Sequence, residues 1–367
     1  MPRSAKQLTR EPIGIVYLGG TFGSYGQPLA SLAPDTFLPI LQNILAAHFA
    51  SYPNHTDAPV PWQILPNAVV KDSSQLTPMD IAAVYGLLIH ARMGNIRRFV
   101  ILTGTDTLAY LAALLAEAFA ESDTCVVVTG AMQPLLDTQI LTDYVINPDS
   151  DACQNLFDAC QLACHGEAGV RVCFAGEHWP AQTVQKIHSH DLMAFVGHHR
   201  AGYPANSFSK KISPRQRALW LEDKIAQLAT VCQRMAVAKI VTVYAVPMAA
   251  DAWQGYFAAL IQQAPDGLIL LGFGAGNFLQ SPEIANALKQ LKAQGCLVVA
   301  STQCPYGGAD STYAAGAWLA ECGVLSSGRL TVAAIYARLL WLTAQYDTPS
   351  RRRQRWRHCM KDTHSMA

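Results

Sequence analysis

The chain has 367 residues, 51% of them apolar and 14% charged, with 27 basic against 26 acidic side chains and a formal net charge of +1. That length and apolar content predict two packed domains and exclude a disordered or fibrous chain. The balanced charge excludes a broad basic field for polyanions, and no apolar run reaches the roughly 20 residues of a membrane helix, so neither nucleic acid nor a membrane is an expected partner.

The first residues, MPRSAKQLTREP, are partly basic but lack the apolar core of a secretory leader. The ten cysteines are scattered, mostly inside apolar stretches, and form no CxxC pair. They read as reduced, buried thiols, which points to the cytoplasm.

From residue 13, short β-rich runs alternate with helical patterns: IGIVYLGG, DIAAVYGLLIHARM, RRFVILTG, TLAYLAALLAEAFAE and TCVVVTGA. This alternation predicts α/β architecture, a parallel sheet of flavodoxin or Rossmann type with helices on both faces. FVIL and CVVV are apolar throughout, as strands covered on both faces require. The turns after these strands then fall at the carboxyl edge of the sheet, where open α/β folds place their sites. Residues 1–197 are assigned to this larger N-terminal domain and the polar stretch 198–235 to a linker. A smaller C-terminal α/β domain over 236–348 contains AKIVTVYAVP, DGLILLGFGAGN, CLVVASTQC and the apolar helix TVAAIYARLLWLTAQ. Residues 349–367, with RRRQRWRHCMKD, read as a basic, solvated tail.

LGGTFGSYG, which ends the first strand, has the glycine content of a phosphate loop but not its chemistry. A P-loop needs lysine and a hydroxyl residue after its glycines, and a dinucleotide fingerprint needs GxGxxG with a distant acid. Here Phe22 follows Thr21, and the glycines are Gly19, Gly20, Gly23 and Gly26. What remains is a plain tight turn or a hydroxyl, that of Thr21, presented where backbone can approach a ligand closely. LTGTDTLAY repeats the arrangement one βα unit later, with Thr105, Asp106 and Thr107 after Gly104. Helix capping accounts for one of these three residues. KDSSQLTP places Ser73 and Ser74 ahead of another helix, in a second capping context.

In this order, LGGTFGS, DSSQLTP, LTGTDTLAY, VTGAMQPL, DACQNLFDA, VQKIHSHDLMAF and GFGAGN resemble the bacterial-type L-asparaginase family. STQCPYGGADSTYAAG is similar to its cytoplasmic, type I branch. The resemblance implies an amidohydrolase that converts L-asparagine and water to L-aspartate and ammonia through an acyl-enzyme, with no metal and no cofactor. It implies Thr21 as nucleophile, Thr105, Asp106 and Lys186 as a second catalytic group, and a supporting loop tyrosine, for which Tyr25 is the candidate. Ser73 and Ser74 would hold the substrate's α-groups, Asp106 would face its ammonium, and Gly104 and the Ala131 backbone would line the site near the side-chain amide. Asn277, with Asp310 as a looser candidate, would complete a neighbour's site, which implies a homodimer or homotetramer. The alternatives are a glutaminase-asparaginase and a non-catalytic relative that binds asparagine or aspartate.

The chain departs from the family pattern in three places. Thr103 stands where histidine is common, Tyr25 lies only four residues past Thr21, and EHWPAQTVQK lacks arginine before Lys186. No histidine lies in either threonine motif, and the lysine that the resemblance implies can serve as base only if burial and charged neighbours lower its pKa; because Asp106 would favour the ammonium, that lowering must come from desolvation under a closed lid.

Overall fold

A computed structural model describes residues 11–51, 60–140, 143–197, 212–309 and 314–364. The chain separates into two compact units, Met1–Gly197 with Asn206–Leu228, and His198–Ala205 with Ala229–Ala367.

The first unit runs β1 (Ile13–Tyr17), a hairpin of β2 (Ser24–Tyr25) and β3 (Ala30–Ser31), α1 (Pro34–Ser51), β4 (Trp62–Ile64), α2 (Pro78–Met93), β5 (Arg98–Leu102), α3 (Leu108–Ala118), β6 (Cys125–Thr129), α4 (Ala152–His165), β7 (Gly169–Phe174), β8 (Glu177–Pro180), β9 (Val184–Lys186) and β10 (Phe195–Gly197). Its main sheet has the order β4-β1-β5-β6-β7-β8. All pairs are parallel except β7 with β8. The parallel part has the doubly wound order in which the second main strand lies outside the first and the third lies on its other side. The switch point therefore falls between β1 and β5.

The apolar strands behave as expected. Ile13, Ile15, Val100, Leu102 and Val127 join Phe37, Leu41 and Leu45 of α1 and Leu156 and Ala159 of α4 in one core layer. Their neighbours Val16, Phe99, Ile101, Val126 and Val128 are equally buried, as period-two side chains must be in a sheet covered on both faces. Local signals set the helix starts. Thr77 and Asp80 form a reciprocal capping box at α2, with Pro78 in its first turn.

The second unit contains β11 (Ile240–Tyr244), α6 (Ala250–Gln263), β12 (Gly267–Gly272), α7 (Pro282–Ala293), β13 (Leu297–Thr302), α8 (Ala314–Glu321), β14 (Leu325–Ser326), α9 (Val332–Gln345) and α10 (Pro349–His364). Its four strands form one parallel sheet in chain order. Trp253, Phe257 and Leu260 of α6 pack with Leu288 and Leu291 of α7 on Leu268, Leu270 and Val298. No helix among the described residues is long and apolar enough to cross a membrane.

Two expectations change. Within the stretch read as a linker, Pro214–Val237 form a 24-residue helix, α5; residues 198–211 lie outside the described residues. The basic segment is not a solvated extension, because α10 docks through Trp356, which is 1% exposed. The Trp356 Nε1 donates to the Ser326 carbonyl at 3.1 Å and Arg353 donates to the Gly323 carbonyl at 2.5 Å. One large apolar ring buried among arginines is enough to seat the helix. All ten cysteines are free thiols.

Candidate active site

Strand register brings the turns of interest together. Tyr17 is level with Leu102, and Leu102 with Thr129. The ladder continues one step past the strands, with Leu18 N–H donating to the Leu102 carbonyl, Thr103 N–H to Thr129 and Lys71 N–H to Leu18. The turns after β1, β5 and β6, and the segment around Ser73, thus lie side by side at the carboxyl edge of the sheet, around the switch point.

The glycines set how close these turns come. A Cβ on Gly20 would lie 2.3 Å from the Gly104 Cα, and one on Gly104 would lie 2.5 Å from the Ser73 Oγ. A Cβ on Gly130 would lie 2.2 Å from the Thr103 carbonyl oxygen. The three turns interlock by backbone contact that only glycine permits. Thr21 sits in a single 3₁₀ turn, Thr21–Gly23, anchored by buried Phe22 against Phe37. Ser24 Oγ ties the turn down by donating to the Gly20 carbonyl at 3.0 Å. Gly23 is needed because the Tyr17 hydroxyl occupies the space a side chain would fill. Burial holds that phenol protonated, well above the ordinary tyrosine range. Thr21 is half-buried, and its hydroxyl has no hydrogen-bond partner among the described residues.

One turn away, Lys186 Nζ donates to Thr105 Oγ1 at 2.8 Å and to Asp106 Oδ1 at 2.7 Å. Lys186 comes from β9, which pairs with β10 in a small antiparallel ribbon. The 80 or so residues between partners show that this triad is a product of tertiary structure. Thr105 is buried, while the Asp106 carboxylate is 58% exposed and so open to a ligand.

Ser73 and Ser74 take different positions. Ser73 is buried, its Oγ accepting from the Asp106 N–H at 3.2 Å and its carbonyl accepting from Thr107 Oγ1 at 2.8 Å. It braces the Gly104–Asp106 turn from behind, a role that capping patterns do not reveal. Ser74 is exposed and donates to Asp72 Oδ1 at 2.6 Å. Nearby, Lys71 pairs with Asp80 at 2.8 Å. Burial works to raise the Asp80 carboxyl, but hydrogen bonds from Lys71 and Thr77 and the lysine charge hold it below the ordinary range.

Tyr25 lies on β2, and its hydroxyl donates to the Ile140 carbonyl rather than to Thr21, its ring meeting Tyr144 edge-on at 5.3 Å. Partial desolvation, then Tyr144, Asp143 and Asp137, raise its phenol. Thr103, at the family's histidine position, is fully buried with no partner for its hydroxyl among the described residues. Ala131 is buried in the turn after β6. In the second unit, Asn277 closes the turn after β12 through reciprocal backbone bonds with Phe273 at 2.8 Å. Asp310 lies outside the described residues. Among the described residues, no group of three or more His, Cys, Asp or Glu side chains is arranged to hold a metal ion.

The first unit is thus a doubly wound α/β unit with Lys186 joined to Thr105 and Asp106 at the turn after β5, and the second is a smaller parallel α/β unit. The Asparaginase, N-terminal family pattern matches residues 12–218, and the Glutaminase/Asparaginase C-terminal domain pattern matches residues 239–355. The chain belongs to the asparaginase family and is an amidohydrolase. It is 28% identical over 271 residues to an L-asparaginase of Thermococcus kodakarensis, covering 74% of this chain and 76% of that one. It is 26% identical over 346 residues to L-asparaginase 1 of Escherichia coli K12, covering 92% and 93%. The crystal structure of L-asparaginase I from Vibrio cholerae shares the fold with a TM-score of 0.68 at 24% identity, covering 95% of this chain and 97% of that one.

Proposed function

We propose that the chain hydrolyses L-asparagine to L-aspartate and ammonia, with Thr21 as nucleophile and Thr105, Asp106 and Lys186 as the group that moves its proton. The observation that carries this reading is the Lys186 ammonium bridging Thr105 and Asp106 on a turn interlocked with that of Thr21.

A substrate α-ammonium arriving at exposed Asp106 competes with Lys186 for the same carboxylate and frees Nζ to serve Thr105. The proton leaving Thr21 passes to the Thr105–Lys186 pair as Oγ adds to the amide carbon. Collapse of the tetrahedral adduct breaks the C–N bond, and the leaving nitrogen takes a proton and departs as ammonia. Water then cleaves the Thr21 ester, giving aspartate and restoring the hydroxyl. Backbone N–H groups of the glycine turn supply oxyanion stabilisation, and the Ala131 peptide contacts the side-chain amide. Ser74 and Asp106, both exposed at the site, bind the α-groups, with Ser73 bracing them.

A homodimer or homotetramer in the cytoplasm fits the second unit. Tyr244, Val246, Phe273 and Tyr306 are 59%, 45%, 39% and 64% exposed at the carboxyl edge of its sheet, where Asn277 also lies, a patch suited to a second copy.

The test is ammonia release from L-asparagine and from L-glutamine by the wild type, Thr21→Ala and Thr105→Ala, with sedimentation for the assembly. Asparagine turnover lost by about 10³-fold or more in both variants supports the assignment. Equal rates in all three proteins refute it, and comparable glutamine turnover makes the chain a glutaminase-asparaginase.

A further inference from the structure

The segment Ser150–Asn155 opens helix α4, yet the side chains of Ser150, Asp151 and Asn155 also reach the turn after β6. Asp151 occupies the N-cap position of α4 and makes no side-chain cap bond to its own helix. Its carboxylate instead accepts from the Met132 N–H, at 3.0 Å to Oδ2 and 3.1 Å to Oδ1, and from the Gln133 N–H at 3.0 Å. Ser150 Oγ donates to the Gln133 carbonyl at 3.0 Å while accepting from the Ala152 N–H at 3.1 Å. Asn155, 1% exposed, donates to the Gly130 carbonyl at 3.0 Å and to Asp151 Oδ2 at 2.9 Å. Its own oxygen accepts from the Ala175 N–H at 2.8 Å.

Three side chains thus hold the backbone on both sides of Ala131: the carbonyl of Gly130 before it, both N–H groups of Met132 and Gln133 after it, and the carbonyl of Gln133. Among the described residues the N–H and C=O of Ala131 have no hydrogen-bond partner. A buried turn ordinarily pairs its peptide groups. Here Ala131 keeps its own N–H and C=O unpaired while the Gly130 carbonyl before it and the Met132 and Gln133 N–H groups after it are held, at the sheet edge that also carries Thr21 and Thr105. Asn155 extends the same hold to Ala175, which takes up a left-handed φ of 51° in the β7–β8 turn, ahead of the strand that carries Lys186.

We infer that Ser150, Asp151 and Asn155 are positioning residues that fix the Ala131 peptide for the substrate's reacting amide. The inference rests on the asparaginase reading above. Asp151 does the most, because an ionised carboxylate both accepts two N–H groups strongly and is favoured at the N-terminus of α4. None of the three touches the substrate. Their effect is on where a donor or acceptor meets the amide as it becomes tetrahedral, so it falls on kcat, while the α-groups of the substrate are bound by other residues.

The experiment compares wild type, Asp151→Ala, Asp151→Asn, Ser150→Ala and Thr21→Ala in L-asparagine kinetics, inhibition by L-aspartate and thermal unfolding. In Asp151→Ala, kcat falls by about 10²-fold, with KM and the L-aspartate inhibition constant within about threefold of wild type. Asp151→Asn keeps an acceptor oxygen for the same N–H groups and recovers roughly a tenth or more of the lost rate, and Ser150→Ala loses about three- to tenfold. A lower melting temperature with unchanged kcat in Asp151→Ala and Ser150→Ala reduces the bracket to a structural role and overturns the inference. If Asp151→Ala does not fold, Asp151→Asn and Ser150→Ala decide by the same split. A wild type active on asparagine and a dead Thr21→Ala keep the underlying reading whichever way the bracket falls. A wild type that releases no ammonia overturns both.

Discussion

Gly20→Ala tests whether the site depends on the interlocked turns. The added methyl would lie 2.3 Å from the Gly104 Cα and 2.5 Å from its nitrogen. Carbon atoms pack at about 3.5–4.0 Å, so the two turns must part by more than about 1 Å. Overpacking of this kind costs about 1–3 kcal/mol. Gly20 also has φ 81° and ψ −170°, a region nearly closed to other residues that adds about 1–3 kcal/mol. Together they predict a loss of about 2–6 kcal/mol, with activity lower by about 10²-fold or more because Thr21 moves relative to Thr105. Gly176→Ala is the control, since Gly176 has φ 79° and no atom within 4 Å of a new Cβ. It carries backbone strain alone and leaves turnover intact. Urea unfolding and ammonia release on both variants separate strain from the wedge. A Gly20→Ala enzyme with wild-type kcat and KM, destabilised no more than Gly176→Ala, would refute the claim that this contact sets the site.

Asp123 receives Arg92 at 2.7 Å, Arg97 at 2.9 Å and Arg217 at 2.8 Å, the Arg92 side chain being 2% exposed; Asp123→Ala therefore destabilises the first unit by about 3–5 kcal/mol, measured by urea unfolding, because it strands a buried guanidinium. Thiol labelling of the native protein should modify exposed Cys304 first, whereas Cys125, Cys160, Cys164, Cys173, Cys296 and Cys322 are buried and should react only on unfolding; burial pushes Cys173 and Cys296 up to about 12, which slows them further. Because the Asp80 carboxyl is held below its ordinary value, its contribution to stability is full above the unfolded carboxylate range and is lost as pH falls through the native value. Asp80→Asn should accordingly be less stable than wild type near neutrality, with the gap closing in acid; a gap that stays constant on acid titration contradicts the assignment.

What the sequence made legible follows from the range of the interactions involved. FVIL and CVVV announced buried parallel strands, and KDSSQLTP marked a helix start, although the cap itself is formed by Thr77 and Asp80 rather than by Ser73 or Ser74. The pairing of Lys186 with Thr105 and Asp106 has no local signal at all and was reachable only through the family pattern. α5 was missed because it is polar, with only Val231 and Met235 buried. In α10, one tryptophan outweighs a run of arginines that composition alone reads as solvated. Ser73 stands beside Ser74 in the sequence, and its hydroxyl also accepts from a backbone N–H 33 positions away, a contact that no local pattern shows. DACQN was visible as a helix start, whereas its grip on the turn at Met132 and Gln133 joins segments that only folding brings together.

These contacts also explain why a glycine loop without phosphate chemistry occurs where phosphate loops do. In both cases the first βα turn sits at the switch point, where two adjacent strands send their connections to opposite faces and leave a crevice. A phosphate loop leaves its glycine N–H groups pointing into that crevice as ligands. Here the side-chain position of Gly20 faces the Gly104 backbone and that of Gly104 faces Ser73, so the glycines serve close packing of the turns. Closeness of the two turns makes Gly20, rather than any polar group, the residue on which the spacing of Thr21 from Thr105 depends.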